Sequence, residues 1–291
     1  MMDGLRERLR AVESGLRPDS ELWRRAIRFG AVNGPGPFVR YSPPVFGLAW
    51  AAALPAARRK VRDNLVRAGA RGTSLEVASV FSSYALALTE AFAIGSGRQE
   101  RLSARVIGDA EFRAARADGR GVIVATAHTS GWYAAGPILG SVYDDEVVLV
   151  MQEERDLAAQ QVQAAQRREL GLKVVHVGSD PRAAMPLLSH LRRGGVVAVQ
   201  ADRVPTGQRD AFADELVRVP QGPLQLSALS GAPIVVVLGR RLGFLDYEVE
   251  VTSAIRLPRR PTASELESGG REIAARIGAF VRAYPTHWFD F

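Results

Sequence analysis

The sequence predicts an α/β fold: a mixed, largely parallel sheet flanked by helices, preceded by a helical N-terminal region. Three observations carry this. Beyond Gly119, short apolar runs alternate with helix-length segments, the order expected when parallel strands are joined by crossover helices. The runs are continuously apolar rather than alternating, as strands covered on both faces must be. Residues 1–120 show mainly helical spacing of apolar positions.

In chain order, Leu5–Leu16 and Glu21–Phe29 read as helices. Gly34–Pro44 is a Gly/Pro-punctuated break, and Arg58–Ala68 and Ser74–Ile94 are further helices. Leu75, Val77, Val80, Phe81, Tyr84, Leu88 and Phe92 give the last of these broad apolar coverage. Gly108–Asp118 is a short helix. Strands are expected at Val122–Ala127, Val147–Met151, Lys173–Val177, Val196–Ala201 and Ile234–Leu238, with Val249–Val251 as an added edge strand. Helices are expected at Gly131–Gly140, Leu157–Leu170, Pro181–Arg193 and Gln221–Ser230, and Ser264–Tyr284 closes the chain. With 47% hydrophobic residues in 291, the chain can bury one large core. We expect a single domain, 1–291, made of a basic helical region, 1–72, and an α/β core, 120–291.

Cysteine is absent, which excludes disulfide frameworks, thiolate zinc sites and cysteine nucleophiles. The four histidines, at 128, 176, 190 and 287, lack metal-ligand spacing, and no metal is expected. The net charge of +7 is almost wholly arginine, and residues 1–71 hold fourteen Lys/Arg against six Asp/Glu. No RNP-like motif, zinc finger or homeodomain pattern accompanies the charge, so nucleic acid is not an expected partner. The basic region instead surrounds the apolar stretch Val45–Ala57, closed by Arg58-Arg59-Lys60. This stretch is shorter than the roughly 20 residues that span a bilayer. Its place in the chain does not suit a signal peptide. Phe46, Leu48 and Trp50 beside Arg58 and Arg59 suit a segment lying in the headgroups of an anionic membrane, and equally a hairpin of core helices with a solvated basic end.

Chemistry concentrates at Gly121–Leu139, GVIVATAHTSGWYAAGPIL, where an apolar run ends at His128 and a helix begins near Ser130 and Gly131. An imidazole beside a helix N-terminus suits a general base next to an anion-stabilising end, or a histidine that merely caps a strand. Val196–Ala201 ends similarly, on Asp202-Arg203. Carboxyl ends of parallel strands share one sheet edge, where ligands usually bind. If the two strands are neighbours, Asp202 accepts from one ring nitrogen of His128 and leaves the other to take a substrate proton; otherwise Asp202 pairs with Arg203 or caps a turn. Ser130 is a nucleophile candidate or, more simply, a helix cap. Glu153 and Glu154 are metal-ligand candidates with Asp202 or solvated surface. No G-x-S-x-G elbow, G-x-x-x-x-G-K-[ST] phosphate loop or G-x-G-x-x-G is present.

Several blocks together resemble the bacterial lipid A biosynthesis acyltransferases, a family that includes phosphatidylinositol mannoside acyltransferases. They are Arg59–Ala68 (RKVRDNLVRA), Tyr84–Phe92 (YALALTEAF), Ala127–Leu139 (AHTSGWYAAGPIL), Val199–Arg203 (VQADR), Val219–Val236 (VPQGPLQLSALSGAPIVV) and Tyr284–Phe289 (YPTHWF, a P-x-x-W tail). The resemblance implies a glycerophosphate-acyltransferase-like fold, peripheral at the cytoplasmic face of the inner (plasma) membrane. The implied reaction moves an acyl chain from a thioester, on acyl carrier protein or coenzyme A, to a hydroxyl of a membrane lipid or glycolipid, without metal or redox cofactor. His128 matches the family's catalytic base. The usual carboxylate five positions on is Tyr133 here, and a phenol with a pKa near 10 carries no charge at neutral pH. Asp202 matches the carboxylate of the Asp/Glu-Arg block and is the expected catalytic partner. Ser130 and Gly131 are expected to supply oxyanion N–H groups, Arg203 to bind an acceptor phosphate or the donor's phosphopantetheine, and Trp132, Tyr133 and Arg155 to complete the substrate-binding set. A catalytically silent lipid-binding or scaffold protein, or a hydrolase using the same His–Asp pair on water, stays open.

Overall fold

The computed structural model describes residues 21–97, 102–143, 146–152, 172–178, 181–204 and 211–291. The expected helices Leu5–Leu16 and Leu157–Leu170, and Glu153, Glu154 and Arg155, lie outside the described residues.

Prolines set the helix starts in the N-terminal region. Helix α1 spans Glu21–Asn33, α2 Gly36–Tyr41, α3 Pro43–Ala53 and α4 Pro55–Arg67. Each of the last three has Pro within its first two positions, where a missing N–H costs nothing and the fixed φ favours the helix. The apolar stretch Val45–Ala57 is therefore two helices broken before Pro55, and the Gly34–Pro44 break contains a short helix of its own. Helix α5, Ser74–Gly95, opens on a capping box in which Thr73 and Glu76 satisfy each other's backbone N–H groups. It is long and apolar enough to cross a membrane by length and composition, yet most of that apolar window is buried inside the protein.

The main sheet has seven strands. They are β1 (Ser103–Ile107), β2 (Val122–Thr126), β3 (Val147–Gln152), β4 (Lys173–Val177), β5 (Val196–Gln200), β8 (Ile234–Gly243) and β9 (Asp246–Val251), in the spatial order β1-β9-β8-β2-β5-β3-β4. A small antiparallel pair, β6 (Ala211–Ala213) with β7 (Arg218–Pro220), stands apart. All neighbours in the main sheet are parallel except β8 and β9, which form a hairpin. One expectation is corrected and one strand is added. The strand around Val249–Val251 is interior, not an edge, because Ser103–Ile107 adds a further parallel strand outside it. That strand was not legible: SARVI is mostly exposed and has no apolar run.

Alternate residues of β2 enter opposite cores, which is why the strand reads as continuously apolar. Ile123 and Ala125 join Val197, Val236, Leu224 and Ile277 on the side of α8 (Met185–Arg192), α9 (Gly222–Ser230) and α10 (Ala263–Ala283). Val122 and Val124 join Phe112, Ile138, Val235 and Val249 on the side of α6 (Asp109–Arg116) and α7 (Trp132–Tyr143). A third core unites Trp50, Val61, Leu65, Val77, Phe81 and Leu88 with Tyr133 and Phe289. The N-terminal helices are thereby packed onto the start of α7 and the end of the chain. Trp50 is 3% exposed and stacks edge-on against Trp23, so its expected place at a membrane face is corrected: it is a core residue.

Candidate active site

Register builds the site. β2 and β5 are parallel neighbours with Thr126 opposite Gln200, and each chain runs two residues further, to His128 and to Asp202. Equal overhang places the two side chains at the same level of the sheet edge. Ala201 N–H donates to the Thr126 carbonyl at 2.7 Å, extending the pairing past the strands. His128 Nδ1 lies 2.7 Å from Asp202 Oδ1, and the His128 backbone N–H donates to Asp202 Oδ2 at 3.1 Å. The Asp202 side chain is fully buried, while that of His128 is 19% exposed. With Nδ1–H committed to the carboxylate, Nε2 is the free lone pair, and among the described residues it meets no protein donor or acceptor.

Burial would raise the Asp202 carboxyl, but attraction to His128 and its hydrogen bond, then Arg203 and the Trp288 indole, outweigh it and hold the group at about 2. Asp202 is thus an anion throughout the neutral range. Tyr133, by contrast, is buried in the third core with its ring centroid 4.0 Å from that of Trp132. Its expected place in the substrate-binding set is thus a position inside the core beside Trp132. Trp132 stays half-buried, with its ring 5.1 Å from the His128 ring.

The N–H groups of the expected oxyanion donors, Ser130 and Gly131, are engaged within the protein. Ser130 N–H donates to the His287 carbonyl at 2.9 Å and Gly131 N–H to the Gly239 carbonyl at 3.1 Å. Glycine is required at 131 because a Cβ there would lie 2.6–2.9 Å from Gly239 backbone atoms, so α7 begins in contact with β8. The Ser130 hydroxyl accepts from Arg241 N–H at 3.0 Å and meets His287 Nδ1 at 2.6 Å. Burial, then Arg240 and Arg241, push His287 down to about 4, so its neutral ring accepts the Ser130 proton. Ser130 is consequently a tie between three segments rather than a helix cap or a nucleophile.

The third of those segments is the C-terminal tail, whose contribution sequence reasoning missed. Thr129 pairs with Trp288 in an antiparallel bridge, Phe289 N–H donates to the His128 carbonyl at 2.8 Å, and Trp288 Nε1–H donates to Asp202 Oδ2 at 3.1 Å. Arg203, expected to bind a phosphate, is exposed and also ties the tail to the site. Its guanidinium bonds the Phe289 carbonyl and lies 3.5 Å from Asp290. From α4, Asn64 donates to the Asp290 carbonyl at 2.8 Å and Lys60 pairs with the Asp290 carboxylate at 2.9 Å. The only signals available beforehand were the two motifs themselves, RKVRDNLVRA and YPTHWF; nothing in either names the other as its partner.

Among solved structures the chain is similar to the 1-acyl-sn-glycerophosphate (LPA) acyltransferase PlsC from Thermotoga maritima, at 16% identity and a TM-score of 0.38, covering 82% of this chain and 96% of that one. No curated protein matches the sequence. The family model for bacterial lipid A biosynthesis acyltransferases matches residues 42–291, from the second proline-started helix to the end of the tail that closes on Asp202, and the chain belongs to that family of acyltransferases.

Proposed function

We propose that the protein moves a fatty acyl chain from an acyl thioester, carried on acyl carrier protein or coenzyme A, to a hydroxyl of a membrane lipid or glycolipid, with His128 as general base and Asp202 as its orienting partner. The observation that carries this reading is the 2.7 Å contact between His128 Nδ1 and a buried, ionised Asp202, in a His128 side chain that is itself partly exposed. In the proposed reaction Nε2 takes the acceptor hydroxyl proton as the oxygen attacks the thioester carbonyl. The tetrahedral intermediate collapses, the C–S bond breaks, and the thiolate recovers the proton from His128; the products are an ester and a free thiol. Asp202 stabilises the transient imidazolium without taking a proton. Donor, acceptor and products balance without a redox cofactor.

The proposed location is peripheral, at the cytoplasmic face of the inner membrane. Support comes from Phe46 and Leu48, 41% and 49% exposed on α3. A cleft at the end of that helix is lined by Arg58, Arg59, Arg62, Ala51 and Val77. Apolar residues beside clustered arginines suit an anionic lipid surface.

The test is His128→Ala. Removing a general base lowers turnover roughly 10²–10⁴-fold; melting temperature falls as well, because the buried Asp202 loses its main partner, so turnover is compared at a temperature where both proteins are folded. The assay follows thiol release from saturated acyl-coenzyme A thioesters, with acylated lipid identified by mass spectrometry. Wild-type turnover in the alanine variant removes His128 from the mechanism, and free fatty acid in place of acylated lipid replaces transfer with hydrolysis.

A further inference from the structure

The tail Pro285–Phe291 closes over the deepest part of the catalytic pair, and one of its side chains reaches the carboxylate itself. Asp202 accepts three hydrogen bonds: His128 Nδ1–H on Oδ1, then His128 N–H and Trp288 Nε1–H on Oδ2, both at 3.1 Å. A carboxylate held by one donor can rotate about its Cβ–Cγ bond. Three donors on both oxygens fix its plane, and with it the ring that it holds. The Asp202 side chain is fully buried, leaving no solvent to replace the indole if it were withdrawn.

The indole is delivered by the backbone rather than by chance packing. Ser130 N–H to the His287 carbonyl and Phe289 N–H to the His128 carbonyl bracket Trp288 on both sides, and its Thr129 bridge sets which way the side chain faces. Arg203, Asn64 and Lys60 then hold the two following residues. A tryptophan whose only task was to fill the core would not need its one polar atom aimed at a buried anion.

We propose that Trp288 is a positioning residue of the acyl-transfer site: its indole N–H locks Asp202, so that the C-terminal tail completes the His128–Asp202 pair. This rests on the reading of His128 as the base. Without the indole, Asp202 Oδ2 keeps a single donor, the carboxylate turns more freely, and its charge is less dispersed where it faces His128. Arg203 and Asp290 from the β5 loop and tail, and Arg240 and Arg241 from β8, are unaltered by such a change.

The experiment replaces the indole N–H without changing shape, by installing β-benzothienylalanine at position 288 of the full chain, with Trp288→Phe as the genetically simpler companion. Two readouts follow. In kinetics on acyl-coenzyme A, losing one hydrogen bond to a charged group lowers kcat by about 10–100-fold with KM nearly constant. By NMR on the protein alone, the downfield His128 Nδ1 proton moves, because the carboxylate that accepts it is no longer fixed through Oδ2. A merely structural tryptophan would leave both unchanged in the benzothienyl protein. Wild-type kcat together with an unmoved His128 Nδ1 proton resonance overturns the proposal. If His128→Ala itself retains turnover, it is the base assignment that fails, and the NMR readout still decides whether Trp288 positions Asp202.

Discussion

At the scale of single residues, the carboxylate partner of His128 comes from a different place than the usual family spacing provides. Tyr133 follows His128 by five positions and is buried among Trp50, Phe81 and Phe289. Asp202 arrives from the neighbouring strand with a 2.7 Å contact and a carboxyl held at about 2. Asp202→Asn keeps the size but loses the charge that stabilises the imidazolium and favours the wrong ring tautomer. Turnover should fall by about 10³–10⁴-fold, on the scale seen when the acid of a Ser-His-Asp triad is made an amide. Tyr133→Phe, which keeps the ring in the core, should change turnover less than about threefold, the fold-change equivalent of roughly 0.6 kcal/mol. Steady-state kinetics on both variants checks the assignment; equal losses would return Tyr133 to the chemistry.

Among the elements, α5 carries a buried carboxyl group that holds its proton unusually tightly. Glu90 on that helix is fully buried and packs against Tyr247 of β9 and Arg241 of β8, with Arg241 Nε at 3.2 Å. Burial raises its carboxyl to about 7 despite Arg241 and the Tyr247 hydroxyl, which both favour the ionised form. The folded state therefore holds a proton more tightly than the unfolded chain. This contribution is fully present below about pH 4.5 and is lost as pH rises through 7. Glu90→Gln keeps the volume and cannot titrate. Denaturant midpoints should show the variant gaining on wild type between pH 5 and 7.5. His287, held at about 4, works in the opposite sense, its contribution being lost as pH falls from 6.5 through 4, but it does so in both proteins and cancels in the difference. A gap between the two proteins that does not change with pH would mean that Glu90 keeps its ordinary affinity for protons.

For the whole molecule, the helical layer and the sheet meet at the tail: Phe289 and Phe291 pack edge-on against Tyr84 of α5 while Trp288 closes on Asp202. A membrane surface docked on α3, as proposed, would thereby be coupled by continuous packing to the His128–Asp202 pair. Vesicle co-sedimentation should show binding to anionic lipid that weakens as salt screens charge over about 8–10 Å, plus an apolar remainder that salt does not remove. Phe46→Ser with Leu48→Ser should abolish the remainder. Arg59→Glu with Arg62→Glu should remove the salt-sensitive part, and leaves Arg58 in place because its guanidinium bonds the Ala51 and Ala52 carbonyls at the end of α3. Trp50 is also left intact, since its loss would open the core. Equal binding to neutral and anionic vesicles, or none to either, would mean that this face does not dock on lipid.

What the sequence determined by itself was local. The apolar runs at Val122, Val147, Lys173, Val196 and Ile234, the helix beginning at Ser74, and the ends of two strands on His128 and Asp202 follow from periodicity, caps and strand-ending polar residues that act within a few positions. Membership of one acyltransferase family was likewise legible in the order of its motifs. Strand order was decided only in three dimensions. That β2 and β5 are neighbours in register, so that equal overhangs bring His128 to Asp202 across 74 positions, is a property of sheet pairing. The same holds for Ser103–Ile107 outside β9, where backbone hydrogen bonding makes a strand without an apolar pattern. Tertiary packing also turned the expected oxyanion N–H groups of Ser130 and Gly131 toward β8 and the tail, and sent Trp50 inward. Each of these depends on which distant backbone satisfies a polar group or covers an apolar one, and a residue's own neighbours in sequence carry no record of that choice.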